Sequence, residues 1–363
     1  MVLRQTVAQA AGRGTRKGSV ISAIFPPSER PTRIGFLLMP GFPLLPYASA
    51  IEPLRAANVL ADRALYSWHH LTPFGLPAQA SNGISIAPDL DWQMAASLDL
   101  LIVCAGASVT GLHDADTERR LAMLARQGTR MGSVSAGTYL LARAGLLNGY
   151  RFTLHWELAP GFQEEFPALD LRRSLFEIDR NRLTCSGGAA PLDMMHAVLA
   201  QDHGSVLALA VNDWFLQTEV RGGEHPQRMA PVVRFGVRNA AVLRALAHME
   251  AHLDQPASGS ELAAVAGVSL RQLERLFQAY LGATPNAFQL KLRLEHARTL
   301  LHQTEMSMVE IAVATGFANA SHFAHAYRSR FGRTPRSDAL RTLRLIGKRN
   351  STMEAAPRHA IRA

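Results

Sequence analysis

Residues Leu281–Pro285 read LGATP, and fifty positions later Phe331–Pro335 read FGRTP. Working outward, Leu273 and Phe277 match Phe323 and Tyr327 at the same offset, while Ala263-x-x-x-Gly267 matches Ala312-x-x-x-Gly316 at forty-nine. Each copy reads as a short helix, a glycine turn and a longer helix. A supersecondary unit repeated in this way fixes the architecture of its region: two helix-turn-helix copies in an all-α domain.

In the first copy Ser260–Ala266 is the supporting helix, with Leu262 and Val265 turned inward, and Ser269 caps Leu270–Leu281. Leu273, Leu276, Phe277 and Tyr280 form the buried stripe at helical spacing, which leaves Arg271, Gln272, Arg275 and Gln278 outside. In the second copy Met308–Thr315 and Gly316 precede a helix from Ala320 to Phe331, with Asn319 at its cap. Here Phe323, Ala326, Tyr327 and Phe331 are the stripe, and Ser321, His322, His325 and Arg328 lie outside. Side chains of these types read base edges or grip phosphates, so they and Asn319 are the candidate contacts to double-stranded DNA. Between the copies, Asn286–Leu301 is an amphipathic helix about 24 Å long, suited to holding recognition helices about 34 Å apart in successive major grooves.

Charge supports this division. The chain carries +9 overall, split as +5 over residues 1–33, −3 over 34–240 and +7 over 241–363. Its cations are nearly all arginine, the lysines being Lys17, Lys291 and Lys348, which suits phosphate and guanine contacts but equally suits a GC-rich genome. Two cysteines, Cys104 and Cys185, exclude a disulfide scaffold and a cysteine-clustered zinc site. No run of apolar residues is long enough to span a membrane, and the basic N-terminus lacks a signal peptide's apolar core. A soluble cytoplasmic protein is expected, with a transit peptide over the first thirty residues as the alternative.

Residues 34–225 have another rhythm. Arg33–Leu38, Leu98–Cys104 and Met131–Val134 are short apolar strands, followed by helical patterns at Leu44–Leu60, Asp114–Gln127 and Ala136–Leu147. Further strands are predicted at Arg151–His155, Leu175–Asp179 and Leu183–Ser186, and further helices at Pro191–Gln201 and Ser205–Thr218. Alternation of this kind predicts an α/β fold, a flavodoxin-like parallel sheet covered by helices, with ligands at the carboxyl ends of the strands. The loop Gly132–Gly137 (GSVSAG) has the small residues of a nucleophile elbow, with Ser135 exposed at its tip.

Two resemblances follow from these stretches. SLRQLERLFQAYLGATP (Ser269–Pro285) and EIAVATGFANASHFAHAYRSRFGRTP (Glu310–Pro335) resemble the double helix-turn-helix of the AraC/XylS family of transcription regulators. One departure lies at the end, where RSDALR follows Pro335 in place of the family's Pro-x-x-aromatic-Arg. Residues 34–220 are similar to the class I glutamine-amidotransferase-like superfamily, PfpI/ThiJ branch. That likeness rests on Ala105-Gly106-Ala107, the elbow, GTYLLARAGLLNGYRFTLHW (Gly137–Trp156) and CSGGAAPLDMM (Cys185–Met195). Active members of that superfamily place a cysteine at the elbow, often a histidine beside it, and an acid in the first strand–helix loop. This sequence has Ser135, Ala136 and the acid-free GFPLLPY (Gly41–Tyr47). The resemblance therefore implies a sensor domain with no catalytic residue, no metal and no cofactor.

The pocket residues implied are Phe42, Tyr47, Gly106, Ala107, Ser135, His155 and Trp156, the aromatic faces suiting a cationic ligand. The expected organisation is a basic tail (1–33), a sensor domain (34–225), a linker (226–240), a DNA-binding domain (241–340) and a second tail (341–363). The glycines and prolines of Arg221–Asn239 mark the linker. The combination implies a transcription activator that senses a small nitrogenous effector resembling betaine, carnitine or arginine. Its partners would be promoter DNA, RNA polymerase and a second copy of itself. The alternatives are an amidase or glyoxalase-like hydrolase with a DNA-binding appendage, and a DNA-bending protein without a ligand.

Overall fold

The computed structural model describes residues 30–339 except Leu112 and Glu305, so the expected second tail and residues 1–29 of the first lie outside the described residues. The chain divides into two compact units, 1–227 and 228–363.

The first unit is built on β1 (Thr32–Leu38), β2 (Tyr66–Leu71), β5 (Leu100–Ala105), β6 (Arg130–Ser135), β7 (Phe176–Asp179) and β8 (Arg182–Cys185), with β3 (Ala78–Gln79) and β4 (Ser85–Ile86) as a separate hairpin. Strand order is β2-β1-β5-β6-β8-β7, parallel throughout except for the β7–β8 pair. Alternation assigns the faces. Ile34, Phe36, Leu38, Leu100, Ile102 and Cys104 join one buried cluster, while Leu37, Leu101, Val103 and Ala105 join another. Both faces are covered, which is why β1 and β5 read as unbroken apolar runs. Helices α1 (Leu44–Ala61), α5 (Ala190–His203) and α6 (Ser205–Trp214) cover the first face; α2 (Ala115–Arg126), α3 (Gly137–Arg143) and α4 (Ala159–Glu165) cover the second.

Three expectations change here. Arg30–Arg33 belong to this unit and not to a tail, since Arg30 grips Asp99 with two hydrogen bonds of 2.7 and 2.8 Å and β1 starts at Thr32. Residues 151–155 are not a ladder strand: Phe152 makes one isolated bridge, to Leu171. Side chains satisfy the backbone there instead, with Thr184 Oγ1 accepting from the Thr153 N–H and Thr138 Oγ1 donating to the Thr153 carbonyl, each at 2.9 Å. The edge strand β2, YSWHHL, was not expected, because its interior residues are only half-buried and carry polar groups.

The expected linker is also partly folded. Pro231–Phe235 form a short helix, α7, and Phe235 and Val237 pack into the core of the second unit. That unit continues with α8 (Ala240–Ala251), α9 (Gly259–Ala266), α10 (Leu270–Leu281), α11 (Pro285–Gln303), α12 (Met308–Ala314) and α13 (Ala320–Phe331). One core forms around Leu262, Leu273, Phe277 and Phe288, and another around Leu294, Ile311, Phe323 and Tyr327. Truncating a fully buried Phe277 or Phe323 to alanine costs about 3–5 kcal/mol. Two residues expected inside lie outside: Val265 is 38% exposed and Tyr280 49%. Helical spacing gave their face, but among the described residues no neighbouring element covers it.

The two copies share their terminal chemistry. Ser258 with Glu261, and Ser307 with Glu310, form complete capping boxes at the starts of α9 and α12. Ser269 and Asn319 cap α10 and α13 as expected. The turn of the second copy is one residue longer, since Gly267 precedes its cap Ser269 by two positions and Gly316 precedes Asn319 by three.

Candidate ligand site and nucleic-acid interface

Ser135 ends β6 with φ +58°, the left-handed region that a side chain enters at a cost of about 1–2 kcal/mol. Close approach on every side holds the turn. A Cβ on Gly137 would fall 2.2 Å from the Val103 carbonyl oxygen, and one on Gly187 would fall 3.0 Å from the Ser135 Cβ. In the adjoining loop, a Cβ on Gly106 would meet the Gly41 carbonyl oxygen at 2.5 Å. This is elbow geometry, and it presents the Ser135 hydroxyl without a hydrogen bond to any described residue.

Among the described residues no base is hydrogen-bonded to that hydroxyl. His155 Nδ1 accepts from the Glu157 N–H at 3.4 Å, and the ring lies against Trp156 with centroids 5.5 Å apart. Burial lowers the His155 pKa, against a smaller opposing effect of Glu157, so the imidazole is neutral near pH 7. Trp156 is 41% exposed and Ala107 is exposed, whereas Gly106 is half-buried.

Phe42 and Tyr47 sit deeper than a pocket lining requires. Phe42 is fully buried and meets Tyr47 edge-on at 5.7 Å, so its ring packs in the core. Tyr47 lies in the first turn of α1, not in the loop, and its hydroxyl pairs with His70 Nε2 at 2.8 Å. His70 Nδ1 pairs in turn with Asp89 Oδ2 at 3.0 Å. Asp89 accepts only, so Nδ1 carries the proton and Nε2 accepts from Tyr47. Burial, then interactions with the buried Cys104 thiol and the Asp89 and Glu52 carboxylates, push the Tyr47 pKa up to about 12, which keeps it a donor. Sequence reading missed His70 and Asp89, whose nineteen-residue separation matches no motif.

On the helical unit the candidate DNA residues are exposed. Arg271, Gln272, Arg275 and Gln278 lie outside on α10, opposite buried Leu273 and Phe277. Ser321, His322, His325 and Arg328 lie outside on α13, opposite buried Phe323 and Tyr327. Asn319 spends its side-chain oxygen on the cap, accepting from the His322 N–H at 2.8 Å. Among the described residues, Arg271, Arg275 and Arg328 have no ion pair.

Other arginines are committed to the fold. Arg293 donates to the carbonyls of Thr315 at 2.7 Å and Gly316 at 2.6 Å, closing the end of α12. Arg244, forty-nine residues earlier, donates to the Ala266 carbonyl at the end of α9. This pair extends the repeat into α8 and α11, a match that motif reading overlooked. Charge alone did not separate these structural arginines from the free ones.

Two helix-turn-helix copies presenting unpaired arginines define the class: a DNA-binding transcription regulator. The family described as "Helix-turn-helix domain" matches residues 262–339. HTH-type transcriptional regulator GbdR of Pseudomonas aeruginosa is 44% identical over 314 residues, 86% of each chain. HTH-type transcriptional regulator GlxA of Rhizobium meliloti is 43% identical over 312 residues, 85% of this chain and 96% of its own. Among solved structures, an AraC family transcriptional regulator from Pseudomonas putida matches 51% of this chain and 100% of its own, at 27% identity and a TM-score of 0.48. The chain belongs to the AraC/XylS family of transcription regulators. Among the described residues no helix is long and apolar enough to cross a membrane.

Proposed function

We propose that the α/β unit is a non-catalytic sensor of a small nitrogenous metabolite and that its occupancy sets transcription from a promoter bound by the helical unit. The carrying observation is the elbow: Ser135 keeps the strained left-handed geometry of a nucleophile, half-buried, and among the described residues no hydrogen bond joins its hydroxyl to a base. A strained residue persists only where the surrounding structure holds it, and such positions concentrate at functional sites. Ser135, His155, Trp156, Gly106 and Ala107 are the ligand-facing set, with Phe42 and Tyr47 supporting them from behind. The DNA set is Arg271, Gln272, Arg275 and Gln278 on α10, with Asn319, Ser321, His322, His325 and Arg328 on α13. The protein works in the cytoplasm as a homodimeric activator that contacts RNA polymerase.

The test is a thermal-shift screen of glycine betaine, carnitine and arginine on wild type and Ser135→Trp, repeated with a duplex selected by the full chain. A compound that stabilises wild type, alters transcription and fails on Ser135→Trp supports the reading. Turnover of amide or glyoxal substrates that is lost in Ser135→Ala would replace it with the hydrolase.

A further inference from the structure

The segment around His155 has an unusual neighbour. Gln227 Oε1 accepts from the Trp156 N–H at 2.7 Å, while Gln227 Nε2 donates to the Leu154 carbonyl at 3.0 Å. The same nitrogen lies 2.7 Å from the Ser174 carbonyl oxygen and 3.1 Å from Thr153 Oγ1. In a parallel ladder a residue donates to the carbonyl before its neighbour and accepts from the N–H after it. The carboxamide of Gln227 reproduces that pattern around His155, standing in for the strand that residues 151–155 lack.

Gln227 is also the last residue of the first unit, and Arg228 is the first of the second. The chain leading to it is tied down. Asp193, fully buried in the first turn of α5, accepts from Gln217, from the Arg221 backbone and from the Arg221 guanidinium, at 2.6–3.0 Å. Beyond it, the Met229 carbonyl accepts from Arg234, whose guanidinium is paired through two bonds of 2.8 Å with Glu250 on α8. Only Arg228 separates Gln227 from Met229.

We propose that Gln227 is a positioning residue: its carboxamide sets the His155–Trp156 segment and carries that segment's state into the DNA-binding unit. The inference rests on the sensor reading above. A ligand that shifts residues 154–156 must break or re-form the Gln227 bonds, and with them the anchor of the chain entering the second unit. Coupling between two sites is reciprocal, so DNA binding must act back on the same bonds.

The experiment uses the full chain and a duplex it selects from a random library. Amide exchange over residues 152–157 is measured with and without DNA in wild type, Gln227→Ala and Gln227→Glu. In wild type, DNA should change the exchange by about fivefold or more. Gln227→Ala should remove that change while duplex affinity stays within about twofold, since each mutated contact lies in the first unit. Gln227→Glu keeps the acceptor for Trp156 but sets a carboxylate against two carbonyls, and should also uncouple. An exchange in wild type that ignores DNA, or a DNA-linked change that survives both substitutions, overturns the proposal. Glycine betaine, carnitine and arginine separate the two readings. If none binds while the DNA-linked change is present, the sensor reading fails and the coupling stands. If one binds and activates normally through Gln227→Ala, the coupling fails and the sensor reading stands.

Discussion

Tyr327, on the second recognition helix, donates its hydroxyl to the buried carboxylate of Asp338 at 2.7 Å. Arg298 lies 3.2 Å from the same carboxylate, Arg333 3.4 Å and His302 3.7 Å. Asp338 falls where the family resemblance led one to expect an aromatic side chain, so a polar clamp seats α13 against α11 in place of an apolar plug. Burial works to raise the Asp338 pKa, but the Tyr327 hydrogen bond and the charges of Arg298, His302 and Arg333 outweigh it and hold the carboxyl low.

A depressed folded pKa fixes the sign of the pH dependence. The clamp contributes fully above the unfolded value of about 4 and is lost as pH falls through the folded value. Asp338→Asn should cost about 1.5–3 kcal/mol at neutral pH, the range for hydrogen bonds to charged groups. Acid melts of both proteins check this: the two curves should converge below about pH 4. A constant gap across that range would exclude the clamp.

Ser135→Gly should hold or raise Tm, because glycine accepts φ +58° without the side-chain clash. Ser135→Val should lower stability by about 1–2 kcal/mol or more, a β-branched residue being least able to enter that region. The comparison is made by denaturant unfolding of the full chain. Equal stability of the two variants would show that the strain is not real.

Gly316 and Gly282 both have positive φ, +70° and +65°, but only Gly316 is crowded, a Cβ there meeting the Asp254 carbonyl oxygen at 2.6 Å. Gly282→Ala should therefore cost about 1–2 kcal/mol, the conformational term alone. Gly316→Ala adds about 1–3 kcal/mol of overpacking. Thermal melts that rank the two the other way would refute the packing assignment.

Arginine substitutions should divide by role. Arg271→Ala, Arg275→Ala or Arg328→Ala should weaken binding to a selected duplex by about 1–3 kcal/mol where the side chain reads a base, with little change in Tm. Arg293→Ala should lower Tm, since its guanidinium closes the end of α12. Binding isotherms and melts on the same four proteins decide it.

How much of this was written in the residues follows from where each partner lies. Short apolar runs in β1, β5 and β6 are a local signal, and they placed those strands and put Ser135 at the end of β6. The 151–155 segment carries strand-like residues, but its backbone partner is a glutamine seventy-one positions from Trp156, which no local pattern encodes. His70 and Asp89 meet because the chain folds back over the edge strand, where the Asp89 and Leu90 N–H groups donate to the His70 carbonyl. Repetition supplied the helical unit almost whole. It gave no hint that Val265 and Tyr280 remain outside, because exposure depends on what packs nearby and not on spacing.

The longer turn of the second copy has a consequence for the DNA. Gly316 stands three residues before its cap and Gly267 two, and the faces that follow differ: Arg271, Gln272 and Arg275 on one helix, Ser321, His322 and His325 on the other. The two copies share one pattern but are not interchangeable in the faces they present. On the proposed DNA reading, a single chain would recognise a word with a beginning and an end, not a palindrome. Polarity on the promoter would then be set by two unlike faces and one extra residue of a turn within one chain.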